Sequence, residues 1–111
     1  MNCIEYTGTI ASVSASTNGE VLIDKNSVSR FIEREHYFET TIVNSEWDKD
    51  SWIRVRFPKK DTNWIEYFKT YKPVDIYMLG VEGELKTQVG IGTGIVYTYI
   101  EVKRVTFIVQ K

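Results

Sequence analysis

The sequence predicts an all-β fold, a small closed barrel of five strands with one helix between the third and fourth. Three observations carry that prediction. β-branched and aromatic residues gather in short runs separated by Gly, Asn, Asp and Ser, which is the punctuation of strands and turns. Glycines interrupt these runs at Gly8, Gly80 and Gly83, where a sheet that curls into a barrel needs a bend or a bulge. Only the segment Asn63 to Tyr71 spaces its apolar residues as a helix does.

Each element follows from local pattern. The first strand is expected over Cys3 to Val13, with Ile4, Tyr6, Gly8 and Ile10 sharing one side. Ser14 to Gly19 is turn chemistry, and Val21-Leu22-Ile23 is a short apolar run leading into a hairpin or irregular excursion through Arg30 to Glu35. Tyr37 to Asn44 forms the next strand, and Ser45 to Ser51 reads as a polar connection that contains Trp47. Trp52 to Phe57 alternates most clearly. Ile53, Val55 and Phe57 take one face, a core, while Trp52, Arg54 and Arg56 take the other. Pro58 supplies no ladder donor and ends that strand.

Asn63 followed by Glu66 fits a capping box, and Trp64, Tyr67, Phe68 and Tyr71 recur at i, i+3, i+4 and i+7. That stripe is expected to face inward, with Trp64 plugging the core. Pro73 stops the helix, and Val74 to Thr87 begins a long strand bent at Gly80 and Gly83. Val89 to Gly94 holds three glycines in six residues and reads as a loop before a closing strand, Tyr97 to Val109. This order is the plan of the oligonucleotide/oligosaccharide-binding (OB) fold, a five-stranded Greek-key barrel. An SH3-like barrel is the alternative, disfavoured by the long amphipathic helix and its place in the chain.

Composition narrows the function. The chain has 111 residues, 42% apolar, 26% charged and 14% aromatic, enough for one core and not two, so residues 1–111 are expected to be a single domain without tail or linker. No run approaches the roughly 18 apolar residues of a membrane helix. The start, Met1 to Glu5, lacks a basic and then apolar leader, so a cytoplasmic location is expected. Cys3 and His36 are the only residues of their kinds, which argues against a disulfide, a zinc site or a histidine-based hydrolase, and no cofactor is expected. His36, within Glu33-Arg34-Glu35-His36, reads as a solvated histidine at a strand start. Glu82 and Glu84 share a strand face, but such a pair is most often simply hydrated, and no enzyme is expected.

The net charge of -1 conceals an asymmetry. Residues 1–48 hold three basic groups against eight acids, 3 - 8 = -5, and residues 49–111 hold 11 against seven, 11 - 7 = +4. The densest basic run is Lys49, Arg54, Arg56, Lys59 and Lys60, opposed only by Asp50.

Several segments in order resemble the bacterial and phage single-stranded DNA-binding protein (SSB) family. Thr7-Gly8-Thr9-Ile10 is similar to its first strand, Ser45-Glu46-Trp47-Asp48-Lys49 to its aromatic-bearing connection, and Trp52-Ile53-Arg54-Val55 to its third strand. Asn63 to Tyr71 with Lys72 resembles its helix and basic turn. Val81-Glu82-Gly83-Glu84-Leu85-Lys86-Thr87 is close to the family's V-E-G-x-L-x-T strand, and Tyr97 to Phe107 resembles its last. The sequence departs from the family where Gln88-Val89-Gly90 stands in place of a further aromatic. The resemblance implies sequence-tolerant coating of single-stranded DNA in replication, recombination or repair. Cellular members carry a long tail with an acidic tip that recruits partner enzymes; with the chain stopping at Lys111, a short tailless form of phage or plasmid type is expected.

The residues specify how such binding would work. Unpaired bases expose flat apolar faces, and an aromatic stacked on one contributes roughly 1 to 3 kcal/mol whatever the base. Trp47 and Trp52 are the expected stacking residues, and Tyr97 and Tyr99 extend the platform. Arg54 and Arg56 are expected to contact phosphate or to stack by their planar guanidinium groups, while Lys49, Lys59, Lys60, Lys72 and Lys86 line the path. A monomer of charge -1 has little positive potential to offer, so a dimer or tetramer is expected. Two other readings share the fold: a protein-interaction adaptor of replication or recombination proteins with weak nucleic-acid binding, and a module for RNA or oligosaccharide.

Overall fold

A computed structural model describes residues 3–10, 20–23, 30–46, 49–90 and 92–110. The elements are β1 (Cys3–Ile10), β2 (Glu20–Ile23), β3 (Arg30–Glu33), β4 (Tyr37–Glu46), β5 (Lys49–Pro58), α1 (Thr62–Thr70), a 3-10 turn at Pro73–Asp75, β6 (Ile76–Val89) and β7 (Val96–Gln110). In the sheet β1, β6, β7, β5 and β4 follow one another edge to edge, and β4 pairs with β1 again, closing a ring of five. Only β5 and β7 run parallel; the other pairs are antiparallel. The predicted OB-fold barrel is present, with the excursion after β1 formed as a hairpin, β2–β3, on the free edge of β4.

Two glycines make the closure possible. β1 must leave β6 and meet β4, and at Gly8 the backbones come so close that an added Cβ would lie 2.1 Å from the carbonyl oxygen of Val43. At Gly83 an added Cβ would lie 2.1 Å from the carbonyl oxygen of Glu101. The β6–β7 register shifts between Gly80 and Val81 and between Glu82 and Gly83, the bulges that the sequence predicts at these glycines.

Inside, the alternation of β5 holds: Val55 and Phe57 are fully buried beside Ile42, Leu79, Val81 and Ile100. Helix α1 lays Trp64 and Phe68 against them. Phe57 meets both rings edge to face with centroids 5.0 Å apart, and Phe38 reaches Phe68 at 5.0 Å. Phe57 and Trp64 are therefore core residues, not base contacts.

Three sequence expectations need correction. Ser45 to Ser51 is mostly strand, because Asn44 pairs with Ser51, Ser45 with Asp50 and Glu46 with Lys49, leaving only residues 47–48 between the strands. β1 pairs with β4 no farther than Val43, and β7 with β5 no farther than Arg54, so this arm has no flanking strand among the described residues. A two-stranded ribbon without a neighbour on either side specifies its register only weakly in its sequence pattern. The helix is capped by Asp61, whose Oδ1 accepts the N–H of Asn63 at 3.1 Å, so Asn63 is already helical and no capping box forms. The long strand starts at Ile76, because Pro73 opens a 3-10 turn first. The expected extension of β1 to Val13 lies outside the described residues. Among the described residues no helix is long and apolar enough to cross a membrane.

Candidate nucleic-acid interface

Residues directly opposed across a sheet share a face, so the registers of β4, β5, β7 and β6 assemble one outer wall. On β5 it carries Trp52, Arg54 and Arg56 opposite Val43, Thr41 and Glu39 of β4. On its other side Arg54 pairs with Tyr99 and Arg56 with Glu101 of β7, and beyond these come Gln88, Lys86 and Glu84 of β6. Two shallow grooves cross this wall.

The first, about 350 Å³, runs between Trp52, Ile53 and Arg54 on β5 and Val96, Tyr97 and Thr98 on β7. Trp52 is 65% exposed, a large apolar surface with no burial to justify it. The Arg54 guanidinium sits 5.3 Å from the Tyr97 ring centre and makes no ion pair among the described residues. The sequence-predicted partners Trp52, Arg54 and Tyr97 thus come together, with Trp52 exposed and Arg54 and Tyr97 half-buried.

The second, about 530 Å³, is lined by Tyr37, Arg56, Lys59, Lys60, Tyr99 and Glu101, with His36 at its rim. Its centre is Arg56. Nε donates to Glu39 Oε2 at 2.7 Å and Nη1 to Gln88 Oε1 at 2.8 Å. The Arg56 Cζ lies 4.1 Å from the Tyr99 ring centre and 4.6 Å from that of Tyr37, so the cation holds rings of both neighbouring strands. Glu39 is 6% exposed and is also approached by Arg34 at 3.4 Å. Lys59 donates to Glu33 at 2.9 Å, and Lys60 is exposed.

Beside this groove Glu101 binds two lysines, Lys86 Nζ at 3.0 Å from Oε2 and Lys103 Nζ at 3.1 Å from Oε1. Burial pushes the Glu101 carboxyl up, but the hydrogen bonds and charges of Lys86 and Lys103 outweigh it and hold the group below the ordinary 4.5. Reciprocally, its hydrogen bond to Glu101 lifts Lys86 above the ordinary 10.5.

Of the remaining sequence candidates, Lys72 lines neither groove and stands at the turn after α1. Trp47 lies outside the described residues, as does the side chain of Lys49, whose backbone opens β5. Tyr37, Glu39 and Gln88 were not singled out by the sequence. A signal existed: Tyr37, Glu39 and Thr41 alternate with Phe38, Thr40 and Ile42 as the β5 residues do.

The barrel and its wall define a class, the small OB-fold proteins with an open aromatic and cationic face. Among solved structures the chain is similar to a small single-stranded DNA-binding protein from Mycoplasma pneumoniae, with 17% identity, 96% of this chain and 93% of the other covered, and TM-score 0.56. It is similar to Rim1, the mitochondrial single-stranded DNA-binding protein of S. cerevisiae, at 11% identity, 98% and 95% coverage and TM-score 0.59. A third likeness is the Plasmodium falciparum SSB in complex with single-stranded DNA, at 14% identity, 92% and 86% coverage and TM-score 0.54. At such identities the likeness establishes the fold. No family model matches the sequence, and no curated protein matches it.

Proposed function

We propose that this protein coats single-stranded DNA during replication, recombination or repair, without regard to base sequence and without catalysing a reaction. The carrying observation is an exposed indole beside a guanidinium that has no ion pair among the described residues, Trp52 and Arg54, next to Tyr97 on one barrel wall. Flat apolar rings accept any base face, and every base that leaves a duplex has two such faces to cover. Arg54 and Lys60 supply attraction to phosphate; Lys59 and Lys86 stand beside the path but are already held by Glu33 and Glu101, and Lys72, Lys49 and Trp47 are further candidate contacts. Arg56 serves by holding Tyr37 and Tyr99. Three proteins of like fold are named for single-stranded DNA binding, which supports the same ligand here. Two or four copies pool their walls, because one copy of charge -1 attracts phosphate weakly.

Anisotropy of a labelled thymidine oligonucleotide tests this reading. Affinity is expected to rise with strand length, tryptophan emission to be quenched, and duplex of equal length to bind at least about tenfold more weakly. Equal affinity for duplex, or unquenched emission, removes the reading. Competition by RNA decides whether the sugar is recognised, and sedimentation showing only monomer at the binding concentration removes the oligomer.

A further inference from the structure

Most cations of the wall already hold a carboxylate. Arg56 is bound to Glu39, Lys59 to Glu33, and Lys86 and Lys103 to the two oxygens of Glu101. Arg54 and Lys60, which line the grooves, have no ion pair among the described residues. We propose that Glu101 is a specificity-determining residue: its carboxylate takes the two ammonium groups a phosphodiester would otherwise use, so the wall selects strands by stacking rather than by charge. The inference rests on the strand-binding reading above and deepens it.

Three features support the assignment. Glu101 faces outward on β7 and lines the same groove as Tyr37, Arg56 and Tyr99, where a backbone passing between stacked bases would run. Its two oxygens, one on each lysine, match the paired anionic oxygens of a phosphodiester, and the side chain is only 17% exposed. It also stands directly across from Glu84, a like-charge pairing that disfavours the sheet and is bridged by Lys86, 3.9 Å from Glu84. The consequence for salt is direct. A mobile counterion displaced by phosphate escapes to solution and gains entropy; a tethered carboxylate does not. Lysines held by Glu101 therefore add little to affinity and little to its salt dependence.

The test compares the parent chain with Glu101→Gln, which keeps the shape of the side chain, by titrating a labelled thymidine oligonucleotide over about 50 to 500 mM salt. With Arg54 and Lys60 the cations in play, the parent slope of log affinity against log salt is expected at about -1.4 for each copy engaged, and freeing two lysines takes the variant to about -2.8 per copy. The gain of the variant at the low-salt end then exceeds that at the high-salt end about 25-fold. Lys103→Ala should leave the parent slope within about 0.3 and lower the variant's by about 0.7. Equal slopes in parent and E101Q overturn the inference. If E101Q fails to unfold cooperatively, Lys103→Ala in the parent decides alone: a loss of about 0.7 in slope refutes it, and no change supports it. Absence of strand binding by both proteins overturns the reading and the inference together. Binding with unaltered slopes overturns the inference only.

Discussion

The two ends of the β5 wall differ although one alternating strand builds both. At the Trp52 end the indole is exposed, and the Arg54 guanidinium lies over the Tyr97 ring and makes no ion pair among the described residues. Two residues on, Arg56 is 13% exposed, donates to Glu39 and Gln88, and lies over two tyrosine rings. Identical side chains at equivalent strand positions thus do different work, because their cross-strand neighbours differ. Arg54 faces Thr41, whereas Arg56 faces Glu39. One end is open, and the other is braced by hydrogen bonds that hold its rings in place.

Breaking the braced end should produce the largest effect. Removing one partner of a buried ion pair leaves the other charge unpaired, so Glu39→Ala is expected to lower unfolding free energy by about 3 kcal/mol in chemical denaturation. Replacing Glu39 and Arg56 together by Met should recover most of that stability, since two apolar side chains leave no buried charge. Strand affinity should fall in the double variant, because Tyr37 and Tyr99 lose the cation between them. A double variant as unstable as the single one would show that the pair matters for packing rather than charge.

At the open end the signs reverse. Trp52→Ala is expected to cost about 2 kcal/mol of strand affinity, while stability moves by no more than about 0.5 kcal/mol, as for other exposed positions. Arg54→Ala should cost less affinity and flatten the salt slope by about 0.7, the share of one phosphate contact. Equal binding by both variants, with folding intact, would move the contact surface away from this groove and leave the barrel untouched.

Much of this contrast was legible in the sequence, and the missing part has one cause. The period of two in Trp52 to Phe57 placed Trp52, Arg54 and Arg56 on the outer face and Phe57 in the core, as found. The helical stripe placed Trp64 and Phe68 in the core, and Gly8 marked where the barrel closes. What alternation cannot supply is register. Whether an arginine meets a threonine or a glutamate depends on which residue of another strand lies opposite, and Glu39 and Glu101 are 17 and 45 residues from Arg56 in the chain. The arm of β4 and β5 was missed for a related reason: the pairing of Asn44 with Ser51, Ser45 with Asp50 and Glu46 with Lys49 is a matter of register, which the polar composition of Ser45 to Ser51 does not reveal.

The smallest effect concerns the pH range over which Glu101 contributes to folding. Its folded-state carboxyl is held below 4.5, chiefly by Lys86 and Lys103 acting against burial, so its contribution is fully present above 4.5 and is lost as pH falls through the folded value. Lys86 is lifted above 10.5 by the same hydrogen bond, so its share is fully present below 10.5 and is lost as pH rises through the raised value. The charges facing this pair are Glu84, Lys103 and, from β5, Arg56, with Tyr99 adding a negative charge only when ionised. The stability difference between the parent and E101Q should therefore be flat between 4.5 and 10.5 and shrink beyond either limit. Denaturation of both proteins across that range reads it directly. A difference that stays constant into strong acid would mean that Glu101 holds its lysines too loosely to compete with a phosphate.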